Sequence, residues 1–332
     1  MNQNSIVNGL TILDSSLNTF RDSEFYADHL TELFNNVPLE ISDYFGFEYK
    51  LDKDEVPDLL ICIHKPESLK KLVQIQKEQV KNNLKSINSL SSLENLVIIW
   101  ESKFREQIKN IWLEFDSKDL LQQQVDYSFF YAPNLTANIL ETALVNDDIY
   151  QCIMGEELNK EITRNLVHCY KSLPSDAYIS QIGMMKARSI GGLRLFIQNI
   201  ASIPEYLESL SYPFCKNISL YKLLDLGQKF SSKVELDIDI KEKIQEKIGL
   251  EYYFSKYESA FEFINECQSL GYCSTEILDR IKSDSFNSHE VSSVQYKKCF
   301  SHFKINFEPE KSPVIKAYIG LKNSLPYETI SN

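Results

Sequence analysis

The sequence predicts an α+β fold: five repeated helix–helix–strand–strand units whose ten strands close into an antiparallel β-barrel surrounded by α-helices. Three observations lead there. Pairs of segments with strict apolar/polar alternation recur near 44–63, 111–131, 178–198, 233–254 and 300–320. They are separated by stretches of helical spacing, and the unit repeats every roughly 55 to 70 residues, longer than the common solenoid periods. Each strand has one apolar and one polar face, because successive side chains point to opposite sides of a sheet. An open sheet of that size would expose two edges. Closing it removes the edges and lets the helices cover the apolar outer surface.

The elements follow in chain order. Residues 6–38 carry Leu10, Phe20, Phe25, Tyr26, Leu30 and Leu33-Phe34 at helical spacing and stop at Asn36-Val37-Pro38, so 1–40 reads as N-terminal helices. The period then changes to two. Phe45, Phe47, Tyr49 and Leu51 share one side opposite Glu48 and Lys50, and after the polar turn 52–58 comes Leu59-Leu60-Ile61-Cys62-Ile63. From Pro66 to about Leu96 the pattern is amphipathic and lysine-rich. Leu96-Val97-Ile98-Ile99-Trp100 fits a buried strand or a helical turn equally well. The second hairpin sets Leu113 and Phe115 against Trp112, Glu114 and Asp116, with Tyr127–Tyr131 as its mate.

Helical runs over 135–172 end at Pro174, and the third hairpin pairs Tyr178–Met185 with Leu193–Ile197, placing Arg194, Phe196 and Gln198 on the polar side. Helices carrying Tyr206, Leu207, Leu210 and then Leu220, Leu223 and Leu226 precede Val234–Ile240, where Leu236 and Ile238 oppose Asp237 and Asp239. Its partner Ile248–Phe254 sets Leu250, Tyr252 and Phe254 against Glu251 and Tyr253. A helical pattern runs from Tyr257 to Ile281. The last hairpin sets Phe303, Ile305 and Phe307 against His302, Lys304 and Asn306, then Ile315, Ala317 and Ile319 against Lys316 and Tyr318. No Pro-, Gly- or Ser-rich linker divides the chain, so 1–332 is expected to form a single domain.

Composition narrows the partners. A net charge of -12 argues against a generic nucleic-acid binder, whose phosphate contacts need clustered lysines and arginines. Met1–Ser5 shows no basic segment followed by an apolar run, and no apolar stretch reaches membrane-spanning length, so the expected location is cytoplasmic. Seven scattered cysteines without CxxC spacing suit reduced thiols.

If the polar faces point inward, they line the lumen with Glu48, Lys50, Trp112, Glu114, Asp116, Arg194, Phe196, Asp237, Asp239, Glu251, Tyr253, His302, Lys304, Lys316 and Tyr318. Small barrels are normally filled with apolar side chains, so a polar lumen predicts a solvated chamber. The same alternation of charges also describes the solvent face of an ordinary antiparallel sheet, which keeps a non-catalytic reading open.

Five such units, together with the strand Lys316-Ala317-Tyr318, resemble the aromatic and peptide prenyltransferases of the ABBA, or PT-barrel, fold. The resemblance covers nearly the whole chain in topology and rests on one short K-x-Y motif. It implies transfer of an allylic prenyl group from its diphosphate to an aromatic small molecule or peptide side chain. It implies that Arg194, Lys304 and Lys316 contact the diphosphate, that Tyr253, Tyr318, Trp112 and His302 line the donor and shield the cation, and that Glu114 is the base. Members of the family repeat K-x-Y on several strands, whereas here the fourth hairpin offers Asp237, Asp239 and Glu251. Those carboxylates would repel a bare diphosphate and would hold it through Mg2+, a hard cation that takes oxygen ligands. The alternative is a ligand-binding protein, or a partner of a biosynthetic enzyme, built on the same barrel without catalysis.

Overall fold

The computed structural model describes residues 41–42, 44–52, 57–81, 90–116, 127–134, 139–186, 191–275, 278–279 and 296–323. The expected helices within 1–40 lie outside these. Ten strands form a closed barrel: β1 (Tyr44–Lys50), β2 (Asp58–Ile63), β3 (Ile108–Phe115), β4 (Ser128–Pro133), β5 (Tyr178–Met184), β6 (Leu193–Gln198), β7 (Lys233–Ile240), β8 (Ile244–Tyr253), β9 (Tyr296–Phe307) and β10 (Val314–Asn323). Each strand pairs antiparallel with its sequence neighbours, and β1 closes the ring on β10.

Among the described residues two helices separate successive hairpins in the first three intervals, and one precedes the last hairpin. They are α1 (Pro66–Lys81), α2 (Leu90–Ser102), α3 (Ile139–Met154), α4 (Lys160–Lys171), α5 (Ile203–Ser209), α6 (Ile218–Phe230) and α7 (Tyr257–Ser269). Their starts are written locally. The Asn159 side chain accepts a hydrogen bond from the Glu161 amide at 2.8 Å, and Asn217 does the same for Ser219 at 2.8 Å, each satisfying an amide that the first helical turn leaves without a partner.

The ambiguous run Leu96–Trp100 belongs to α2. Leu93, Leu96, Val97 and Trp100 are buried while Ile98 is 61% exposed, a period of three to four residues that a strand does not produce. The pattern expected to run from Tyr257 to Ile281 breaks at Gly271. Its φ of +76° puts the chain in the left-handed region, and the Tyr272 amide bonds back to the Cys267 carbonyl at 2.9 Å, closing α7.

The core lies between barrel and helices. Phe45, Phe47, Ile61, Leu113, Phe115, Leu195, Leu236, Leu250, Phe303 and Ile305 point outward and are essentially inaccessible, packed with Leu69, Leu93, Leu166, Leu207, Leu223 and Phe263 from the helices. The polar faces therefore turn inward. Crowding inside is resolved at particular places. Gly249 on β8 sits where a Cβ would collide with Asp237 Oδ1 and stand 2.7 Å from Lys304 Cε, so only a residue without a side chain admits that ion pair. Gly249→Ala is expected to cost roughly 1–3 kcal/mol by overpacking, measured by urea denaturation; a variant as stable as the parent would show that the pair shifts freely.

Candidate functional site

The barrel encloses a cavity of about 1120 Å³, open at the end where β2 finishes and β3 begins. Its wall is a lattice fixed by strand register. One row of directly opposed residues runs Glu235–Glu251–Lys304–Lys316–Lys50 across β7, β8, β9, β10 and β1. The next row, towards the mouth, runs Lys233–Tyr253–His302–Tyr318–Glu48 and reaches Asp58 on β2. A third runs Tyr44–Cys62–Trp112–Phe130–Gly183–Arg194–Asp239. Neighbours within a row have Cβ atoms about 5 Å apart, so each row is a chain of interacting side chains.

The charges are paired. Arg194 donates from Nε and an Nη to the two carboxylate oxygens of Asp239 at 2.7 and 2.9 Å and lies 3.9 Å from Asp237. Lys304, 3% exposed, bonds to Asp237 and stands 3.4 Å from Glu251. Lys316 and the Tyr318 hydroxyl both bond to Glu48, and Lys50 lies 3.8 Å from Asp58. The Tyr253 hydroxyl donates to Glu251 at 2.9 Å, with His302 Nε2 3.7 Å from the same carboxylate.

Burial opposes ionisation of Asp237, but Lys304 and Arg194 outweigh it and hold the carboxyl below its ordinary range. Burial likewise disfavours the charge on Lys304, and Asp237 and Glu251 more than restore it. Burial holds His302 below its usual value, and it raises the Tyr253 and Tyr318 phenols well above theirs, keeping both neutral.

The aromatic side of the cavity is ordered. His302 is sandwiched between Tyr253, with ring centroids 4.7 Å apart, and Tyr318, at 4.3 Å and an interplanar angle of 13°. Tyr44 meets Trp112 edge to face at 5.3 Å, and Phe130 meets Phe196 at 5.8 Å. Lys304 Nζ lies 4.9 Å from the Phe196 centroid. A cation in this space would face quadrupoles from several directions.

Of the residues expected from the sequence, Trp112, Glu114, Arg194, Glu251, Tyr253, His302, Lys304 and Tyr318 line this one cavity. Lys316 stands behind Glu48, and Asp237 and Asp239 are held by Lys304 and Arg194. The carboxylates that gather without a guanidinium between them are others: Glu48, Asp58 and Glu114, all buried, bring one oxygen each within 4.8 Å of one another.

Glu235 is a further wall residue that the expected set omits. It lies 3% exposed, directly across the ladder from Glu251, and pairs with Lys233. Burial pushes its carboxyl up to about 7; Lys233 pulls the other way, and Glu251 adds to the rise. The folded chain therefore holds a proton on Glu235 that the unfolded chain releases near the ordinary carboxylate value. Stability is expected to fall as pH rises through the window from about 4.5 to about 7, by up to about 3 kcal/mol from this group. Glu235→Gln should flatten that slope in urea titrations; an unchanged slope would mean the carboxylate is solvated in the folded state.

No protein-family model matches the chain, and no curated protein matches it in sequence. Solved structures do. The prenyltransferase PriB, in a ternary complex with L-tryptophan and dimethylallyl thiolodiphosphate, superposes with a TM-score of 0.61 at 10% identity, over 98% of this chain and 99% of that one. The 5-dimethylallyltryptophan synthase of Streptomyces coelicolor gives 0.57 at 10% identity, over 95% and 96%. AnaPT from Neosartorya fischeri gives 0.52 at 11% identity, over 91% and 88%. The chain has the ABBA, or PT-barrel, fold. Among the described residues no helix is long and apolar enough to cross a membrane.

Proposed function

We propose that this barrel transfers an allylic prenyl group from its diphosphate to an aromatic small molecule or peptide side chain. The observation that carries the reading is the single cavity in which two cations, the buried Lys304 and the partly buried Arg194, adjoin the stacked rings of Tyr253, His302 and Tyr318. Breaking the allylic C–O bond puts negative charge on the diphosphate, which fixed cations stabilise, and positive charge on the prenyl fragment, which ring faces stabilise. In this reading Arg194 and Lys304 take the diphosphate, with Lys316 behind them. Tyr253, Tyr318, Trp112 and His302 surround the prenyl group. The fold is that of PriB, whose ternary complex contains L-tryptophan and dimethylallyl thiolodiphosphate.

Each of these cations already faces a carboxylate, so a donor with several negative charges is best received together with a divalent cation. Glu48, Asp58 and Glu114 bring together the oxygen set that Mg2+ takes, with Lys316 on Glu48 and Lys50 near Asp58, while Asp237, Asp239 and Glu251 are paired with Arg194 and Lys304. The metal would neutralise the donor when bound. Glu114 has a place in both halves of this chemistry. Without metal it takes the acceptor proton; as a metal ligand it cedes that task to Glu235, whose carboxyl titrates near 7 on the same wall.

The test is product formation from dimethylallyl diphosphate and tryptophan or a tyrosine peptide, followed by mass spectrometry across an Mg2+ titration. Glu114→Gln should abolish it in either case, and Glu235→Gln only if Mg2+ is required. One observation favours a second reading: the described lumen cations meet carboxylates, as in a barrel that binds a ligand without reacting. Thermal shift separates the two. A donor at a hundred times its Kd stabilises by about 2.7 kcal/mol, and no rise in Tm with dimethylallyl or geranyl diphosphate, with or without Mg2+, would end the transferase reading.

A further inference from the structure

We propose that Cys62 and His64 form a nucleophilic dyad that captures a soft carbon electrophile in the cavity as a thioether. The two residues are separated by one position along β2 and its end, so strand alternation turns both to the lumen. Cys62 Sγ lies 3.4 Å from His64 Nε2, and both residues line the cavity. A thiol next to an imidazole that accepts its proton is the arrangement that activates sulfur as a nucleophile.

The surroundings suit an alkyl or allyl carbon bearing an anionic leaving group. On the two ladders that flank β2, Cys62 is directly opposed by Tyr44 and Trp112, whose rings provide an apolar bed beside the sulfur. Lys109 lines the same mouth and offers positive charge to a departing anion, with Arg105 beside it already paired to Glu67. His64 is exposed, so a proton passed to it has a path to water. Burial disfavours the thiolate at two other cysteines, pushing Cys152 up to about 11 and Cys169 up to about 12. In the reaction the S–C bond forms as the bond from carbon to its leaving group breaks. The thiol proton goes to His64 Nε2, and the leaving group departs with the electron pair. This inference stands apart from prenyl transfer, since any soft alkylating agent that enters the cavity tests it.

The experiment uses the full chain and substoichiometric iodoacetamide, with peptide mapping by mass spectrometry to rank all seven cysteines by alkylation rate. Cys62 is expected to react first. His64→Ala should slow its alkylation about 10²-fold, the low end of what a positioned base contributes, and free imidazole in the buffer should restore the rate. His64 is at the surface, so circular dichroism should show that variant folded. Alkylation of any other cysteine as fast as Cys62, an unchanged rate in His64→Ala, or a slowed rate that imidazole fails to restore would each overturn the dyad.

Discussion

Lys304→Met is expected to destabilise the fold by about 3–5 kcal/mol, the usual cost of stripping one partner from a buried ion pair. Lys304 is 3% exposed and Asp237 4%, and the ammonium also serves Glu251. Without it Asp237 keeps only the longer approach of Arg194, at 3.9 Å. The charge that Lys304 and Arg194 chiefly hold ionised would then be sustained by Arg194, with a smaller contribution from Lys247, against the full penalty of burial. Two further outcomes separate this account from lost packing. Asp237→Asn combined with Lys304→Met should recover part of the loss, because the unpaired charge at 237 is gone while Glu251 keeps only the hydrogen bond from Tyr253 in place of the ammonium. The single variant should also regain stability relative to the parent as pH falls: its Asp237 titrates upward, and protonation removes the buried charge. Urea unfolding at several pH values measures all three proteins. A single-variant cost below about 1 kcal/mol would place the pair in effectively aqueous surroundings.

How far such a network can be read in the sequence depends on which distances the chain itself sets. Face assignment was legible because it needs only a period of two. Phe303, Ile305 and Phe307 against His302, Lys304 and Asn306 is a local pattern, and the barrel keeps it. The closure of ten strands was legible for the same reason, since the faces left no other economical arrangement. Register was not. The juxtaposition of Glu48, Asp58 and Glu114 comes from strands β1, β2 and β3 and depends on how each ladder is staggered, which no spacing within a strand encodes. Asp58 was hidden further by its place at the end of the polar run 52–58, which reads as a turn, whereas it opens β2. Glu235 had a usable signal: it shares the parity of Asp237 and Asp239, and extending that alternation one step toward the strand start would have found it. The commitment of Arg194 to Asp239 is again a matter of register, since the two are directly opposed on β6 and β7.

That commitment sets up the second large effect. Arg194→Gln is expected to lower turnover of an allylic diphosphate by about 10²- to 10³-fold, the usual loss when one preorganised group facing developing charge is removed. Asp239→Asn should act in the opposite direction on binding. In the resting barrel the planar fork of Arg194 is saturated by the two oxygens of Asp239, the geometry in which a guanidinium is held most firmly. A diphosphate must displace that carboxylate or share the fork with it, and an amide at 239 surrenders it more readily while removing one negative charge from the site. The donor Kd, measured by calorimetry, is expected to fall about tenfold in Asp239→Asn, the equivalent of about 1.4 kcal/mol. The stability cost should be smaller than for Lys304, because the Asp239 side chain keeps 21% of its surface exposed, and a charge left there is partly solvated. Weaker donor binding in Asp239→Asn would reverse the assignment: Asp239 would then be the residue that aims Arg194 at the phosphate, and the resting ion pair would be the reactive geometry already formed.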